Sequence, residues 1–468
     1  MSKYEVASAV AASVTLPEPW RVKMVEPIVL RDREYREQRL REAAFNVFQI
    51  RSEDVYIDLF TDSGTSAMSD AQWAGMMLGD EAYAGARNFY ALQATIQSVF
   101  GFPLFLPVHQ GRAAENLLFS ALVRPGSIVP NNSHFDTTRA NIEVNGGTAL
   151  DLLAAPGYDP AFEHPFKGNI DLDRVRDLFR STPRGKVPLA MLTLTNNSGG
   201  GQPVSLENIK GMASLCREFG IPFYIDACRF AENAWFIKQR EAGQQGRTVA
   251  AIVHEIFSLA DGCLMSAKKD GLANIGGFIA GRDADLMESL KQRMLVIEGF
   301  PTYGGLAGRD LEAISRGLRE VLQEDYLRFR VEQVAQFGAR LTSHGIPILR
   351  PVGGHAVYVD AKTLLPHIPQ AEFPAQALVV ALYREGGVRS VEIGTVMFGR
   401  DQGGEATVAP MELVRLAVPR RVYTASHLQY VADILAGIGA RRERLKGLRF
   451  TFRAPVLRHF TARFEELA

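Results

Sequence analysis

Two lysines, Lys268 and Lys269, stand side by side in the stretch "LMSAKKDGLANIGGFIAG" at residues 264–281. They follow a short apolar run that predicts a buried strand, and they precede a pair of glycines. Two ammonium groups in an environment of low polarity repel each other and lose hydration, so one of them is driven toward its neutral form. A neutral lysine amine is a nucleophile. The pair therefore predicts a nucleophilic lysine at the end of a strand.

A carboxylate is expected at the same edge of the fold. In "IPFYIDACRFAENAWF" a strand pattern ends at Asp226, and Arg229 follows three residues later. In an open α/β sheet, the carboxyl ends of parallel strands border the ligand crevice, so Asp226 and Lys269 are expected to face one ligand. Taken alone, Asp226 is also compatible with a helix cap or a salt bridge.

An anion site is the third part of the pattern. Gln110, Gly111 and Arg112 open an amphipathic helix in "PVHQGRAAENLLFSAL". A helix start offers backbone N–H groups and a favourable dipole to an anion, although a simple glycine turn is the alternative. Together, an anion cradle, a strand-end carboxylate and a lysine are what pyridoxal phosphate requires. The lysine forms an imine, the carboxylate keeps the pyridine nitrogen protonated, and the helix start holds the phosphate.

Length and charge limit the class of protein. The chain has 468 residues, of which 47% are hydrophobic, and this is more than one ordinary domain needs. Lysine plus arginine and aspartate plus glutamate both number 52, so no net charge favours nucleic acid or a membrane surface as a partner. No run of about 18 apolar residues is present that could span a bilayer.

The cysteines and the first residues bear on location. Three cysteines, Cys216, Cys228 and Cys263, are too few for a disulfide framework and fit a cytoplasmic protein. The opening "MSKYEVASAVAASVTLPEPW" is short, weakly apolar and carries Glu5, so we expect an arm of the fold rather than an export signal.

Strands alternate with helices between residues 92 and 290. The runs "SIVP", "VPLAMLTLT", "PFYIDA" and "DGCLMSA" predict strands, whereas "SLENIKGMASLCREFG" and "TVAAIVHEIFSLA" predict helices. This alternation favours an α/β fold with a mostly parallel sheet covered on both faces. A single long helical pattern from 309 to about 344 then leads into a smaller α+β portion. We expect an N-terminal arm with part of the small domain at 1–57, a large cofactor-binding domain at 58–310, and a linking helix with the small domain at 311–468.

A family resemblance extends in order along nearly the whole chain. It is carried by the stretches "TDSGT", "GDEAYAG", "HQGRAAENL", "GGQPVS", "RFAENAWFIKQREA", "MSAKKD", "FPTYGGLAGRD", "GGHAV", "FPAQAL" and "VLRHFTA". These resemble the β-eliminating lyases, which cleave aromatic amino acids with pyridoxal phosphate. The resemblance implies the aspartate-aminotransferase-like fold, fold type I among pyridoxal-phosphate enzymes, and a homotetramer built as a dimer of dimers.

The resemblance also implies roles for single residues. Lys269 corresponds to the imine-forming lysine, and Arg415 to the residue that binds the substrate α-carboxylate with a bidentate fork. Without the resemblance, Arg415 is simply a basic residue in a strand. Tyr83 corresponds to a tyrosine that transfers a proton across the dimer interface. The implied cofactor contacts are Gln110, Gly111, Arg112, Phe135, Asn197, Asp226, Arg229, Ser266 and Lys268.

Further positions are implied to contact the substrate or a cation. The substrate contacts, besides Asn197 and Arg415, are Thr61, Ile393 and Phe460. A monovalent cation, with potassium the expected ion, is implied at Gly64, Glu81 and Asn274, two of which would bind it through backbone carbonyls.

Three positions distinguish the branches of the family. Asp136, Ile393 and His459 stand where the tyrosine-cleaving members have threonine, arginine and phenylalanine. A buried isoleucine cannot hydrogen-bond a phenol, whereas a carboxylate can accept a hydrogen bond from an indole N–H. We therefore expect cleavage of L-tryptophan to indole, pyruvate and ammonia, with Asp136 and His459 in the catalytic site. Asp136 as a helix cap and His459 as a packing residue remain alternatives.

Two other functions are weighed against this one. Tyrosine cleavage is the alternative within the family. A non-catalytic binding protein on the same fold is the alternative from another class, and the presence of Lys269, Asp226 and Arg415 argues against it.

Overall fold

The computed structural model describes residues 16–402 and 405–468, so most of the predicted N-terminal arm lies outside the described residues. Its helices are α1 Arg33–Glu42, α2 Asp70–Met77, α3 Arg87–Phe100, α4 Gly111–Leu122, α5 Asp136–Val144, α6 Leu172–Ser181, α7 Leu206–Phe219, α8 Phe230–Arg240, α9 Val249–Ser258, α10 Ala284–Ile297, α11 Gly308–Glu320, α12 Glu324–Ser343, α13 Ala361–Leu364, α14 Pro374–Gly386, α15 Thr395–Phe398 and α16 Ala425–Gly439. Its strands are β1 Ile57–Asp58, β2 Leu104–Val108, β3 Ile128–Asn131, β4 Thr148–Asp151, β5 Ala190–Thr193, β6 Phe223–Asp226, β7 Gly262–Ser266, β8 Gly277–Gly281, β9 Ala356–Asp360, β10 Val388–Arg389, β11 Val391–Ile393, β12 Arg400–Gln402, β13 Glu405–Thr407, β14 Leu413–Ala417, β15 Leu448–Phe452 and β16 Arg463–Glu466.

The central sheet has five strands in the order β2, β8, β7, β6 and β5. Strands β5, β6 and β7 are parallel, while β8 runs antiparallel to both β7 and β2. Four of the five strands therefore point the same way, which confirms the mostly parallel sheet expected from the sequence. Strands β5, β6 and β7 are buried along their whole length because helices cover both faces.

The predicted long helix at 309–344 is two helices. Helix α11 ends before Val321, and α12 starts after Gln323, whose backbone is extended at φ −69° and ψ 118°. The two helices pack against different elements: α11 contacts α2 and α3, whereas α12 contacts α8 and α16. The expectation of one continuous helix was wrong because apolar periodicity does not show a change of packing partner. No helix in the described part of the chain is long and apolar enough to cross a membrane.

A second hydrophobic core lies in the C-terminal part. Strands β11, β14 and β9 form an antiparallel sheet, and β1 pairs with β10. Residues from the N-terminal segment, such as Leu40 and Ile57, pack in the same core as Val414. Helix α12 contributes to both cores, with Leu327 in the larger one and Phe337 in the smaller one. This arrangement agrees with a small domain drawn from both ends of the chain, although the limits at 57/58 and 310/311 stay predictions.

Candidate active site

One cavity lies where strands β5, β6 and β7 end and helices α4 and α5 begin. The predicted site residues that line it are Thr61, Gln110, Gly111, Arg112, Phe135, Asp136, Asn197, Asp226, Arg229, Ser266, Lys268, Lys269, Arg415, His459 and Phe460. The carboxyl edge of the sheet thus brings together residues that are far apart in the sequence. The remaining predicted residues lie elsewhere and are described below.

The start of α4 forms one wall of this cavity. Gln110 precedes the helix in an extended conformation, and no side chain caps the first turn. A Cβ atom on Gly111 would lie 2.8 Å from Cβ of Ser266, so only glycine lets the helix start approach the end of β7 this closely. Because the first N–H groups of a helix have no partner within the helix, this wall can bind an anion.

The two lysines flank the same wall. Lys268 packs closely on the backbone of Gly64, where an added Cβ would lie 2.7 Å from Cε of the lysine. Burial lowers the pKa of Lys268, and the neighbouring charges of Lys269 and Arg112 lower it further. The repulsion expected from the sequence therefore acts on Lys268. Lys269 lines the cavity at the end of β7, where the sequence predicts the reactive amine.

Asp226 is the last residue of β6 and lines the cavity. Its Oδ1 accepts a hydrogen bond from the backbone N–H of Cys228 at 3.1 Å. The Sγ of Cys228 in turn accepts a hydrogen bond from the backbone N–H of Ser266 at 3.4 Å. Burial raises the pKa of the Cys228 thiol to about 12, so the thiol stays protonated between the two strand ends.

Arg229 is held more tightly than the sequence suggested. Its Nε and Nη2 donate to the two carboxylate oxygens of Asp62 at 2.9 Å and 2.7 Å, and both side chains are buried. Burial opposes ionisation of Asp62, but Arg229, His355 and Arg420 together hold the pKa of its carboxyl well below the usual range. Arg229 therefore lines the cavity from a fixed position.

Asn197 and Arg415 form a polar corner. The Oδ1 of Asn197 accepts hydrogen bonds from Nη1 of Arg415 and from the hydroxyl of Tyr358, both at 2.9 Å. Nη2 of Arg415 donates to the carbonyl of Phe60 at 2.9 Å. The Nε of Arg415 is buried without a hydrogen-bond partner. This guanidinium retains an unused donor beside the cavity, which suits it to a carboxylate ligand.

Asp136 and His459 face each other. Oδ2 of Asp136 lies 3.0 Å from Nε2 of His459, a distance at which the two groups form an ion pair when the imidazole is protonated. The imidazole ring packs on Phe460, with 4.2 Å between ring centroids, and neither of its nitrogens makes a hydrogen bond. Oδ1 of Asp136 accepts the N–H of Thr137 at 2.6 Å. Asp136 thus acts within the first turn of α5 and also faces the cavity, so the two interpretations of this residue are compatible.

Comparison with known proteins assigns the family. Residues 58–434 match the sequence profile described as beta-eliminating lyase. The chain belongs to this family.

Relatives named tryptophanase and relatives named tyrosine phenol-lyase both occur among the similar proteins. A tryptophanase of Hyphomonas neptunium is 54% identical over 97% of this chain and 100% of that protein. A tyrosine phenol-lyase of Intrasporangium calvum is 51% identical over 97% of this chain and 96% of that protein. Among solved structures, an aspartate aminotransferase double mutant of Thermus thermophilus matches with a TM-score of 0.59 and 14% identity, over 87% of this chain and 95% of that one. This structural likeness concerns the fold alone and confirms the expected fold type.

The cavity of this beta-eliminating lyase fits pyridoxal phosphate. The uncapped start of α4 and the close approach of Gly111 to Ser266 leave a cradle that suits a phosphate. Asp226 would face the pyridine nitrogen, and Lys269 would reach the carbonyl carbon. These donors and acceptors are the set that the cofactor needs.

Ile393 lies in an adjoining cavity rather than in the first one. It ends β11 opposite Leu413 of β14 and is buried. The second cavity shares Ser133, Asp136, Ser198 and Met397 with the first, so the two cavities adjoin at Asp136. The expected contact between Ile393 and the substrate stays a prediction.

Tyr83 is exposed on the surface of the lyase. Its ring packs on those of Phe300 and Tyr303, with centroids 5.8 Å and 5.4 Å away. A hydrogen bond with Tyr303 raises the pKa of its phenol. Within one chain the phenol does not line the cavity, and its expected role across a dimer interface stays a prediction.

The three residues expected to bind a cation are only partly assembled. Nδ2 of Asn274 donates to the carbonyls of Gly64 and Ser66, each at 3.0 Å, which brings Asn274 and Gly64 together. The carboxylate of Glu81 is exposed and lies 3.7 Å from Arg309. A potassium site at these residues stays a prediction.

Sequence reasoning missed a buried ionic cluster beneath the cavity. Arg420 is fully buried and donates to carboxylate oxygens of Asp62, Glu232 and Asp270, each at 2.8 Å. Charged residues inside the stretches "TDSGT", "RFAEN", "AKKD" and "VPRR" were the available signal. It was missed because partners so far apart in sequence are not apparent from spacing.

A second missed residue is Glu115, whose buried carboxylate lines the cavity. The only signal in the sequence was an acidic residue on the apolar side of the helix that follows Gly111.

Proposed function

We propose that this protein is a pyridoxal-phosphate-dependent tryptophan lyase that cleaves L-tryptophan, with one water, to indole, pyruvate and ammonia. The observation that carries the proposal is the position of Asp136. Its carboxylate lies in the cavity that also holds Lys269, Asp226 and Arg415, and it can accept a hydrogen bond from an indole N–H.

Substrate binding is assigned to the polar corner. Nη1 and Nη2 of Arg415 are held by Asn197 and by the carbonyl of Phe60. A substrate α-carboxylate would pair with this guanidinium, because the planar fork of N–H groups binds a carboxylate in a defined orientation. Thr61 and Phe460 line the same cavity and would complete the contacts.

Removal of the α-proton is assigned to Lys269. Bound pyridoxal phosphate would supply a protonated pyridine ring that withdraws the electron pair left on Cα. Nζ of Lys269 would take the proton from Cα of the bound substrate. Asp226 would hold the proton on the pyridine nitrogen, and Gln110, Gly111, Arg112, Ser266 and Lys268 would bind the phosphate.

The departure of the indole ring is assigned to Asp136, His459 and Tyr83. Asp136 would accept the indole N–H, with His459 beside it at 3.0 Å. We infer that Tyr83 of a second copy delivers the proton to indole C3, which turns the ring into a leaving group. Phe135, at the start of α5, would stack on the cofactor ring.

Cleavage of tyrosine is the second candidate, because a relative of that kind is 51% identical over nearly the whole chain. The side chains argue against it. A phenol hydroxyl can donate to Asp136 as an indole N–H can, but Ile393, buried in the adjoining cavity, has no polar atom to offer the phenolic oxygen.

We also infer a homotetramer built as a dimer of dimers. Support comes from large apolar side chains that one chain leaves exposed, among them Met77, Tyr83 and Val296. Potassium at Gly64, Glu81 and Asn274 and a cytoplasmic location complete the proposal.

Replacing Lys269 tests the catalytic part of the proposal. Lys269→Ala removes the amine that takes the α-proton, so pyruvate release from L-tryptophan should fall by several orders of magnitude and the yellow colour of the wild-type protein should be altered. Pyruvate and indole are quantified by liquid chromatography, with Lys268→Ala in parallel. Wild-type turnover by Lys269→Ala, with loss confined to Lys268→Ala, would assign the reaction to the neighbouring lysine instead.

A further inference from the structure

The carboxylate of Glu115 is a buried acidic group in the cavity wall that the proposed reaction does not use. It lies one turn after Gly111 on helix α4 and is buried to 8% exposure. Its Oε2 accepts a hydrogen bond from the hydroxyl of Thr137 at 2.8 Å, and its Oε1 accepts one from the hydroxyl of Thr138 at 2.6 Å. Both oxygens are thus directed at neighbouring residues of α5.

These two contacts fix the start of α5. Thr137 and Thr138 are the second and third residues of this helix, and Phe135, which precedes it, provides no side-chain cap. The first turn of α5 already contains the acidic Asp136, and Glu115 adds contacts from α4 to the side chains of the next two residues. The same turn carries Phe135 and Asp136 into the cavity.

The surroundings make this an energetically costly place for a carboxyl group. Burial raises the pKa of Glu115 to about 7, the hydroxyls of Thr138 and Thr137 oppose this, and the charges of Asp226 and Asp136 add to it. A buried acid without a partner would be strongly destabilising, so the two threonine bonds are needed for the group to remain there.

We propose that Glu115 is a positioning residue that holds Asp136 in the orientation required to bind the aromatic leaving group. The link runs from the Glu115 carboxylate through the hydroxyls of Thr137 and Thr138 to the first turn of α5. Because Oδ1 of Asp136 is engaged by the N–H of Thr137, rotation of this turn would move the carboxylate away from His459. The inference rests on the proposed function, in which that leaving group is indole.

The test measures the equilibrium binding of indole to the protein saturated with pyridoxal phosphate. Glu115→Ala should weaken indole binding about tenfold, because two buried hydrogen bonds that orient α5 are lost. Glu115→Gln can still bond both hydroxyls, which are donors and acceptors, and should stay within about threefold of wild type. With tryptophan, Glu115→Ala should raise KM more than it lowers kcat.

Asn116→Ala is the matched control. Asn116 also bridges the two helices, with its Nδ2 donating to Oδ1 of Asn141 at 3.2 Å, but it does not line the cavity. Its loss should lower Tm without changing the dissociation constant for indole. If Glu115→Ala does not fold, Thr138→Val removes one of the two bonds and should weaken indole binding by a smaller factor.

The possible outcomes distinguish a failure of the positioning role of Glu115 from a failure of the proposed function. Indole binding that is equal in wild type, Glu115→Ala and Thr138→Val would overturn the positioning role while leaving the proposed function intact. Equal loss in Glu115→Gln and Glu115→Ala would also overturn it. A wild-type protein that binds no indole would overturn the proposed function, and this inference with it.

Discussion

At the scale of the residue, the cavity contains groups whose charge is set by their immediate neighbours. Lys268 has a lowered pKa because burial and two nearby cations disfavour a further positive charge. The Cys228 thiol has a raised pKa because it is buried beside Asp226. Perturbed groups of this kind concentrate at functional sites. The charge of Asp226 is the one on which the proposed reaction depends most.

Asp226→Asn tests that dependence. A neutral amide cannot stabilise a protonated pyridine nitrogen, so kcat with L-tryptophan should fall by several orders of magnitude while the fold is retained. The amide can still accept from the N–H of Cys228, as Oδ1 does at 3.1 Å. Steady-state kinetics and thermal unfolding measure the two effects. Full activity of Asp226→Asn with the ordinary cofactor would contradict the role assigned to this carboxylate.

At the scale of the element, the buried ionic cluster ties together four segments. Asp62 follows β1, Glu232 lies on α8, Asp270 follows β7, and Arg420 follows β14. Arg229, at the start of α8, completes the link to the cavity. These ion pairs hold the elements that carry Thr61, Lys269 and Arg415 in a common frame.

Asp62→Asn should therefore be strongly destabilising. It leaves Arg229 and Arg420 buried with one negative partner fewer, which should lower the free energy of unfolding by about 3–5 kcal/mol. Urea unfolding measures the change. Glu465→Gln, in the exposed pair with Arg449, is the control and should have little or no effect. A loss no larger for Asp62→Asn than for Glu465→Gln would show that the cluster does not stabilise the fold.

The ion pair of Asp62 with Arg229 also predicts that stability depends on pH. The pKa of Asp62 is lower in the folded chain than in the unfolded chain. Its contribution is therefore complete above the unfolded value of about 3.9 and is lost as the pH falls toward the folded value. The difference between wild type and Asp62→Asn should be constant above about pH 5 and should shrink at lower pH.

Elements were predictable from the sequence where the pattern was local. Strands at β5, β6 and β7, and helices α7 and α9, follow from apolar runs and periodicity. The break at 321–323 was not predictable, because α11 and α12 share one period and differ only in what they pack against. Asp226, Lys269 and Gly111 were identifiable because their types suit strand ends and helix starts. Glu115 and Arg420 were not, because their roles depend on partners remote in sequence.

At the scale of the whole molecule, residues from both halves of the chain meet at the cavity. The large core supports Asp226 and Lys269, while the small core supports Arg415 and His459. Tyr83 and Glu81 remain on the outside of a single chain. The role predicted for Tyr83 requires a second copy of the chain, which no property of one chain in isolation could place.

The choice between aromatic substrates is the central claim about the whole molecule. Asp136 faces the cavity as an acceptor, and Ile393, which lines the adjoining cavity with Asp136, has no polar atom in its side chain. A site discriminates most strongly where one substrate leaves a buried polar atom unpaired, as the phenolic oxygen of tyrosine would be beside Ile393.

A competition assay tests this claim most directly. The purified protein, saturated with pyridoxal phosphate, is given equal concentrations of L-tryptophan and L-tyrosine, and indole and phenol are quantified from the same mixture. Indole should be released from L-tryptophan with little or no phenol from L-tyrosine. Faster release of phenol than of indole would contradict it.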